Sequence, residues 1–254
     1  MSSMPIRLVL FDLDDTLCDH RGSFRLRVEA ALAALPDEVL SLERDVIVAL
    51  ALAQPSHTWE GVQRALEMAG CTDPAWLERA SAVYARDRFL GLSLFPDSVT
   101  AVRAIQRRAL TGLVTNGPSA IQRAKLARLG IERLFPIVVV SEEIGVAKPD
   151  PAIFQYALRL AGVRPEEALY VGDHPVNDVA GAQRAGLTSV WCNRYGQAWQ
   201  GDVEPHFGVA SLWELYRELE EWASSGRALF PGGILGEKRG AARSRGGDDD
   251  RSDG

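Results

Sequence analysis

Five short apolar runs constrain the fold more than any other feature of the sequence. They are RLVLF (Arg7–Phe11), LTGLV (Leu110–Val114), IVVV (Ile137–Val140), ALYV (Ala168–Val171) and TSVWC (Thr188–Cys192). Each run is continuous rather than alternating, and a strand apolar on both faces has to be covered on both faces, as in a parallel sheet layered between helices. Between the later runs lie stretches of helical length. SAIQRAKLARLG opens at Ser119, predicted as a capping residue, and closes at Gly130, while DPAIFQYALRLAG and NDVAGAQRAG close on Gly162 and Gly186. Strand, loop and helix repeated in this order predict an α/β fold with a doubly wound parallel-sheet core.

One long interval breaks the alternation. From about Ser23 to Leu94 the patterns are helical throughout, with Pro36, Pro55 and Pro74 falling between them. The expected organisation is a core of residues 1–20 and 95–225 carrying an inserted all-helical domain, 21–94. The last segment, 226–254, is rich in Gly, Arg and Asp with few apolar anchors, and is expected to be a disordered tail.

With 254 residues the chain can bury a substantial core. A net charge of -6 argues against nucleic acid or an anionic membrane as the main partner. Cys18, Cys71 and Cys192 form no CxxC pair and read as lone thiols in a reducing compartment. The apolar run near the N-terminus is too short for a secretory signal, and no segment has the roughly 20 apolar residues of a membrane span. A cytoplasmic location is expected, and the oligomeric state is left as monomer or homodimer.

In open parallel sheets, sites form beyond the carboxyl ends of the strands. Asp12, Asp14 and Thr16 follow the first run; Thr115, Asn116 and Gly117 follow the second. Lys148 follows the third after a short interval, and Gly172, Asp173 and Asp178 follow the fourth. Carboxylates brought together this way call for a cation. A hard divalent ion, Mg²⁺, is expected on Asp12 and Asp173, with the Asp14 backbone carbonyl as a third ligand. The Thr115 hydroxyl, the N–H groups of Asn116 and Gly117, and the Lys148 ammonium form an anion cradle. A metal beside such a cradle and a free carboxylate suits phosphoryl transfer on a small phosphorylated metabolite.

Taken together, DLDDT, LVTNG, the lysine of VAKPDPAIF and the acidic pair of VGDHPVNDVAGAQRAG resemble the four motifs of the haloacid dehalogenase superfamily, in order, between Ile6 and about Trp191. The resemblance is to hydrolases of phosphatase type with a helical cap inserted after the first strand. It implies that Asp12 is the nucleophile forming an aspartyl-phosphate, and that Asp14 is the acid and then the base. It implies further that Thr115 and Lys148 hold phosphoryl oxygens, with Lys148 also neutralising the nucleophile. Asp173 would hold Mg²⁺, Asp178 would orient Lys148 or a metal-bound water, and the helical insertion would close as a lid.

Other residues have plainer readings. Asp15 reads as a turn former, Asp150 as a helix-start residue, and His174 as shaping its loop. At His20 substrate contact and packing weigh equally. His57, Trp59, Arg64, Tyr84, Arg86 and Arg88 are the insertion's recognition candidates, although aromatic residues at helical spacing suit a core. Arg194 and Trp199 read as packing residues near the site's mouth. Competing functions are a phosphosugar mutase, a haloacid dehalogenase, which needs no proton donor at Asp14, and a non-catalytic phospho-accepting regulatory protein, which carries no large helical insertion. Phosphonate-cleaving relatives use a lysine from the cap, and this chain has none between His20 and Leu94.

Overall fold

The computed structural model of the chain describes residues 6–54 and 57–225, so the expected tail, 226–254, lies outside the described residues. Strand β1 (Leu8–Phe11) is followed by four helices, α1 (His20–Ala33), α2 (Arg44–Leu52), α3 (Trp59–Met68) and α4 (Pro74–Arg86). The chain then runs through α5 (Ser98–Ile105), β2 (Leu110–Thr115), α6 (Ser119–Leu129), β3 (Ile137–Val140), α7 (Ser141–Ile144) and α8 (Pro151–Ala161). Next come β4 (Ala168–Gly172), a π-helical turn (Pro175–Ala180), α9 (Gly181–Arg184), β5 (Thr188–Cys192), β6 (Phe207–Val209) and α10 (Leu212–Ser225).

The six strands form one sheet in the order β3-β2-β1-β4-β5-β6, every neighbouring pair parallel. Alternate residues feed opposite faces. Val9, Phe11, Leu113 and Val171 pack with Val102 and Ile105 of α5 and Leu212 and Leu215 of α10. Leu8, Leu10, Val114 and Tyr170 pack with Ile153, Phe154 and Ala157 of α8 on the other side. This two-sided burial is why the runs are continuously apolar. Strand β6 was not foreshadowed by such a run: at this edge of the sheet Phe207 and Gly208 are only half-buried and Val209 alone is buried.

Two helix expectations need correction. Ser119 is the first residue of α6 rather than its cap, a position held by Pro118. Its N–H donates to Glu142 at 2.7 Å and its hydroxyl to Glu143 at 2.6 Å, so acidic side chains of α7 satisfy this helix start. The stretch from Asn177 to Gly186 is not one α-helix. The N–H groups of Asp178 and Val179 both donate to the His174 carbonyl, at 3.0 and 3.2 Å, which widens the backbone into the π turn before the short α9.

Helices α1 to α4 gather around apolar residues of their own, among them Phe24, Val28, Leu32, Ile47, Val62 and Leu66. The Arg27 guanidinium lies 3.7 Å from the centre of the Tyr84 ring and donates to the Tyr84 carbonyl, so both side chains serve packing. The two chain crossings between this group and the sheet run side by side. Asp19 N–H donates to the Ser93 carbonyl at 2.9 Å and Phe95 N–H to the Leu17 carbonyl at 3.1 Å. Among the described residues no helix is long and apolar enough to cross a membrane.

Phe154 links the core to the strand ends: it is fully buried and meets Tyr170 edge-on, with ring centres 4.8 Å apart. Phe154→Ala is expected to lower the unfolding free energy by about 3–5 kcal/mol. Chemical denaturation measures this, and a loss under about 1 kcal/mol would contradict the packing described.

Candidate active site

Strand β1 lies between β2 and β4, with Phe11 opposite Leu113 on one side and Val171 on the other. The residues just beyond these three strands therefore converge, at the position where the strand order reverses. Asp12 follows Phe11 directly and is fixed by its own backbone, its N–H donating to the Val171 carbonyl at 2.8 Å. Thr115 ends β2, Asn116 follows it, and Asp173 follows β4. All four border a cavity of about 390 Å³, together with Asp14, Lys148 and Asp178.

The Lys148 ammonium sits among the acids. It donates to Asp12 Oδ1 at 2.6 Å, Asp178 Oδ1 at 2.7 Å and the Tyr170 hydroxyl at 2.9 Å. An ammonium has three hydrogens, and here all three are taken by protein acceptors. Burial opposes the charge, but the two carboxylates outweigh it and raise the Lys148 pKa above its ordinary value. In this arrangement no Lys148 hydrogen is left over for the phosphoryl oxygen it was expected to hold. Asp178 thus contacts Lys148 through Oδ1, while its Oδ2 accepts from the His174 N–H at 2.9 Å.

The loop after β2 also differs in detail from the expected cradle. The Asn116 side chain brackets the backbone of Lys148, donating to its carbonyl and accepting its N–H, both at 2.8 Å. Gly117 cannot offer its N–H to a ligand as drawn from the sequence, because that group donates to Ser141 Oγ at 2.9 Å. Gly117 adopts φ 132°, and an added Cβ would lie 2.8 Å from Gln122 Nε2. Its role is to turn the chain closely past Gln122. Of this loop, Thr115 and Asn116 border the cavity.

Asp14 is held from α6 by a side chain that sequence reading overlooked. Lys125 of α6 donates to both its carboxylate oxygens, at 2.8 and 2.6 Å. Burial raises the Asp14 carboxyl, but Lys125, then His20, pull it back further, to about 2. Asp12 goes the other way: burial pushes it up to about 7, with Asp178 and Asp14 adding repulsion against the pull of Lys148. Tyr170 is the second residue missed, since a tyrosine inside an apolar strand run reads as core. The signal for Lys125 was a buried Gln122, Lys125, Leu126 stripe in α6, polar where an apolar face is expected.

The minor residues fall into place as shapers. Asp15 has φ 57° and accepts from Arg21 N–H and the Tyr195 hydroxyl, both at 2.8 Å. Asp150 caps α8 through Ala152 N–H, and His174 Nδ1 accepts from Val176 and Asn177 N–H. Arg194 donates to the Thr16 carbonyl and both Asp97 oxygens, while Trp199 packs on Trp191 with ring centres 4.9 Å apart. Of the insertion's candidates, His57 borders the cavity together with His20. Trp59 and Tyr84 pack together, and Arg64, Arg86 and Arg88 are exposed.

Oxygens of Asp12, Asp173 and Asp178 lie within 4.8 Å of one another and could hold a metal ion. Burial, then repulsion from Asp178 and Asp12, pushes the Asp173 carboxyl well above its ordinary value. The donor set is all oxygen and short of positive charge, which fits a hard divalent cation. Both Asp178 oxygens and Asp12 Oδ1 already accept hydrogen bonds within the protein.

A buried carboxylate–ammonium pair beside a second acid thus lies at the switch point of a doubly wound sheet. The family model of haloacid dehalogenase-like hydrolases matches residues 6–186, and the chain belongs to that family, as an enzyme of its phosphatase type. It is 36% identical over 211 residues to a glyceraldehyde 3-phosphate phosphatase of Methanopyrus kandleri, covering 79% of this chain and 88% of the relative. It is 37% identical over 155 residues to a phosphoserine phosphatase of Thermus thermophilus, covering 61% of each. Among solved structures, a 2-haloacid dehalogenase from Pseudomonas syringae aligns at TM-score 0.57 and 32% identity, over 85% of this chain and 99% of that one.

Two outcomes follow from this geometry. A Cβ at Gly172 would sit 2.4 Å from Asp178 Cγ. Gly172→Ala is expected to push Asp178 off Lys148, costing about 1–3 kcal/mol in thermal unfolding, and an unshifted melting midpoint would refute the contact. Because protons compete for the raised Asp12 and Asp173 carboxyls, a divalent cation should bind better once they are ionised. The rise in Tm on adding Mg²⁺ is therefore expected to be larger at pH 8 than at pH 5; equal rises would count against these ligands.

Proposed function

We propose that the chain is a Mg²⁺-dependent phosphomonoesterase acting on a small metabolite through an aspartyl-phosphate. The observation that carries this reading is the Lys148 ammonium bonded to both Asp12 and Asp178, with Asp173 beside them. It holds a buried carboxylate where it can act as a nucleophile. Asp12 attacks phosphorus as the bond to the leaving oxygen breaks. Asp14, two residues on, delivers the proton to that oxygen and then takes one from the water that releases phosphate. Its low pKa makes it an anion at rest, the form the second step uses. For the first step it takes up the proton that a phosphomonoester monoanion brings with it, and after the second step it passes its proton to solvent, so the proton count closes.

Thr115 and the backbone around Asn116 would receive the phosphoryl oxygens. Asp12 and Asp173, with the Asp14 carbonyl, would hold Mg²⁺, whose charge offsets that of the carboxylates and phosphoryl group when bound. Residues 21–94 would form the cap over residues 1–20 and 95–225, with His20 and His57 facing the leaving group. A cavity of about 390 Å³ suits a small ester, and the likeness to a glyceraldehyde 3-phosphate phosphatase makes triose phosphates the first substrates to assay. Three buried free cysteines agree with a reducing, cytoplasmic setting. The carboxylate at Asp14 argues against carbon–halogen cleavage, which needs no proton donor there.

Phosphate release from a panel of phosphomonoesters is expected with Mg²⁺ and to disappear with a chelator. Asp12→Asn should lower kcat by at least about 10³-fold while leaving the fold intact. Full activity in Asp12→Asn, or no turnover by the unaltered chain on any ester, would sink the reading.

A further inference from the structure

Lys125 occupies a position where packing alone would place an apolar residue. It is 5% exposed and sits beside Leu126 on the core-facing side of α6. Its ammonium reaches 111 residues back along the chain and holds both oxygens of Asp14. Buried ion pairs are weak contributors to stability, and replacing such a pair with well-packed apolar residues is often neutral or favourable. The Asp14 side chain is itself 24% exposed, on the border of the cavity, so the pair runs from the interior to the reaction space.

The helix that carries Lys125 is the continuation of the segment carrying Thr115 and Asn116. Gln122, one turn earlier on the same face, donates to the Asn116 carbonyl at 2.6 Å. Thus α6 is fastened to the phosphate-facing backbone through Gln122 and to the proton carrier through Lys125. Other groups near Asp14 hold it less firmly: the Cys18 thiol lies 3.7 Å from Oδ1, and His20 Nδ1 lies 4.0 Å away.

We propose that Lys125 is the positioning residue for Asp14, fixing its carboxylate relative to the Thr115–Asn116 segment so that the proton reaches the leaving oxygen. The inference rests on the phosphomonoesterase reading above. Both oxygens are gripped by one ammonium, so the carboxylate cannot rotate without losing a charge-assisted bond. Lys125 does not touch substrate; it acts through Asp14.

The test compares an alkyl phosphate, whose leaving oxygen needs a proton, with 2,4-dinitrophenyl phosphate, whose leaving group departs as a stable anion. Lys125→Met should lower kcat on the alkyl ester at least ~10-fold more than on the aryl ester, within the range general acids contribute. KM should change less than ~3-fold, since the phosphate contacts remain. Lys125→Arg should recover part of the loss, and Lys125→Gln, which keeps a donor, serves the same comparison if Lys125→Met fails to fold. In an Asp14→Asn background the loss from Lys125→Met should be less than additive. Equal losses on the two esters, a loss confined to KM, or full additivity would overturn the inference while leaving the phosphatase reading intact. An unaltered chain that turns over neither ester would remove both.

Discussion

One ammonium group organises the centre of this protein. The Lys148 Nζ lies within 2.9 Å of Asp12, Asp178 and Tyr170, which come from three separate stretches of chain. An uncompensated charge of either sign would be expensive at this depth, so each group makes the burial of the others tolerable. The same contacts hold the loop before α8, the start of the π turn and the end of β1 in mutual register. Asn116 fixes the Lys148 backbone and Gly172 leaves room for the Asp178 carboxylate, so the arrangement depends on geometry more than on net charge.

Both buried cations at the site are lysines, in a chain where Lys and Arg together number 28 and lysines are only Lys125, Lys148 and Lys238. The distribution follows from shape. A lysine is a compact point charge whose three hydrogens can turn to three unrelated acceptors, whereas a guanidinium presents a planar fork. Arginines take the sites where a fork or a flat stacking face is useful. Arg194 spans Thr16 and Asp97, and Arg27 lies on Tyr84.

Much of this was legible in the chain. The five apolar runs became β1 to β5 almost residue for residue, because strands buried on both faces are mostly apolar along their whole length. Strand β6 was hidden, being short, partly exposed and built around Gly208. Asp12, Thr115, Lys148, Asp173 and Asp178 could be grouped before any coordinates, since topology alone sends strand ends to one rim. What the chain concealed was bonding. Nothing in TNG tells that the Gly117 N–H is taken by Ser141, or that Asn116 embraces Lys148 rather than a ligand. Lys125 and Tyr170 were hidden for a common reason: a polar tip on a mostly apolar, core-facing side chain looks like part of the core until its partner is seen.

The paired crossings at Leu17–Asp19 and Ser93–Phe95 have a consequence for how such a protein can vary. An insertion whose two ends leave the sheet side by side, tied by backbone hydrogen bonds, makes only a weak demand on the length of chain between them, because loop-closure entropy grows slowly with length. Descendants of one ancestral core could exchange, enlarge or whittle away the intervening helices without disturbing β1 or the acids that follow it. The junction acts as a socket at which the intervening helices can change in length while the acids beyond β1 stay in place.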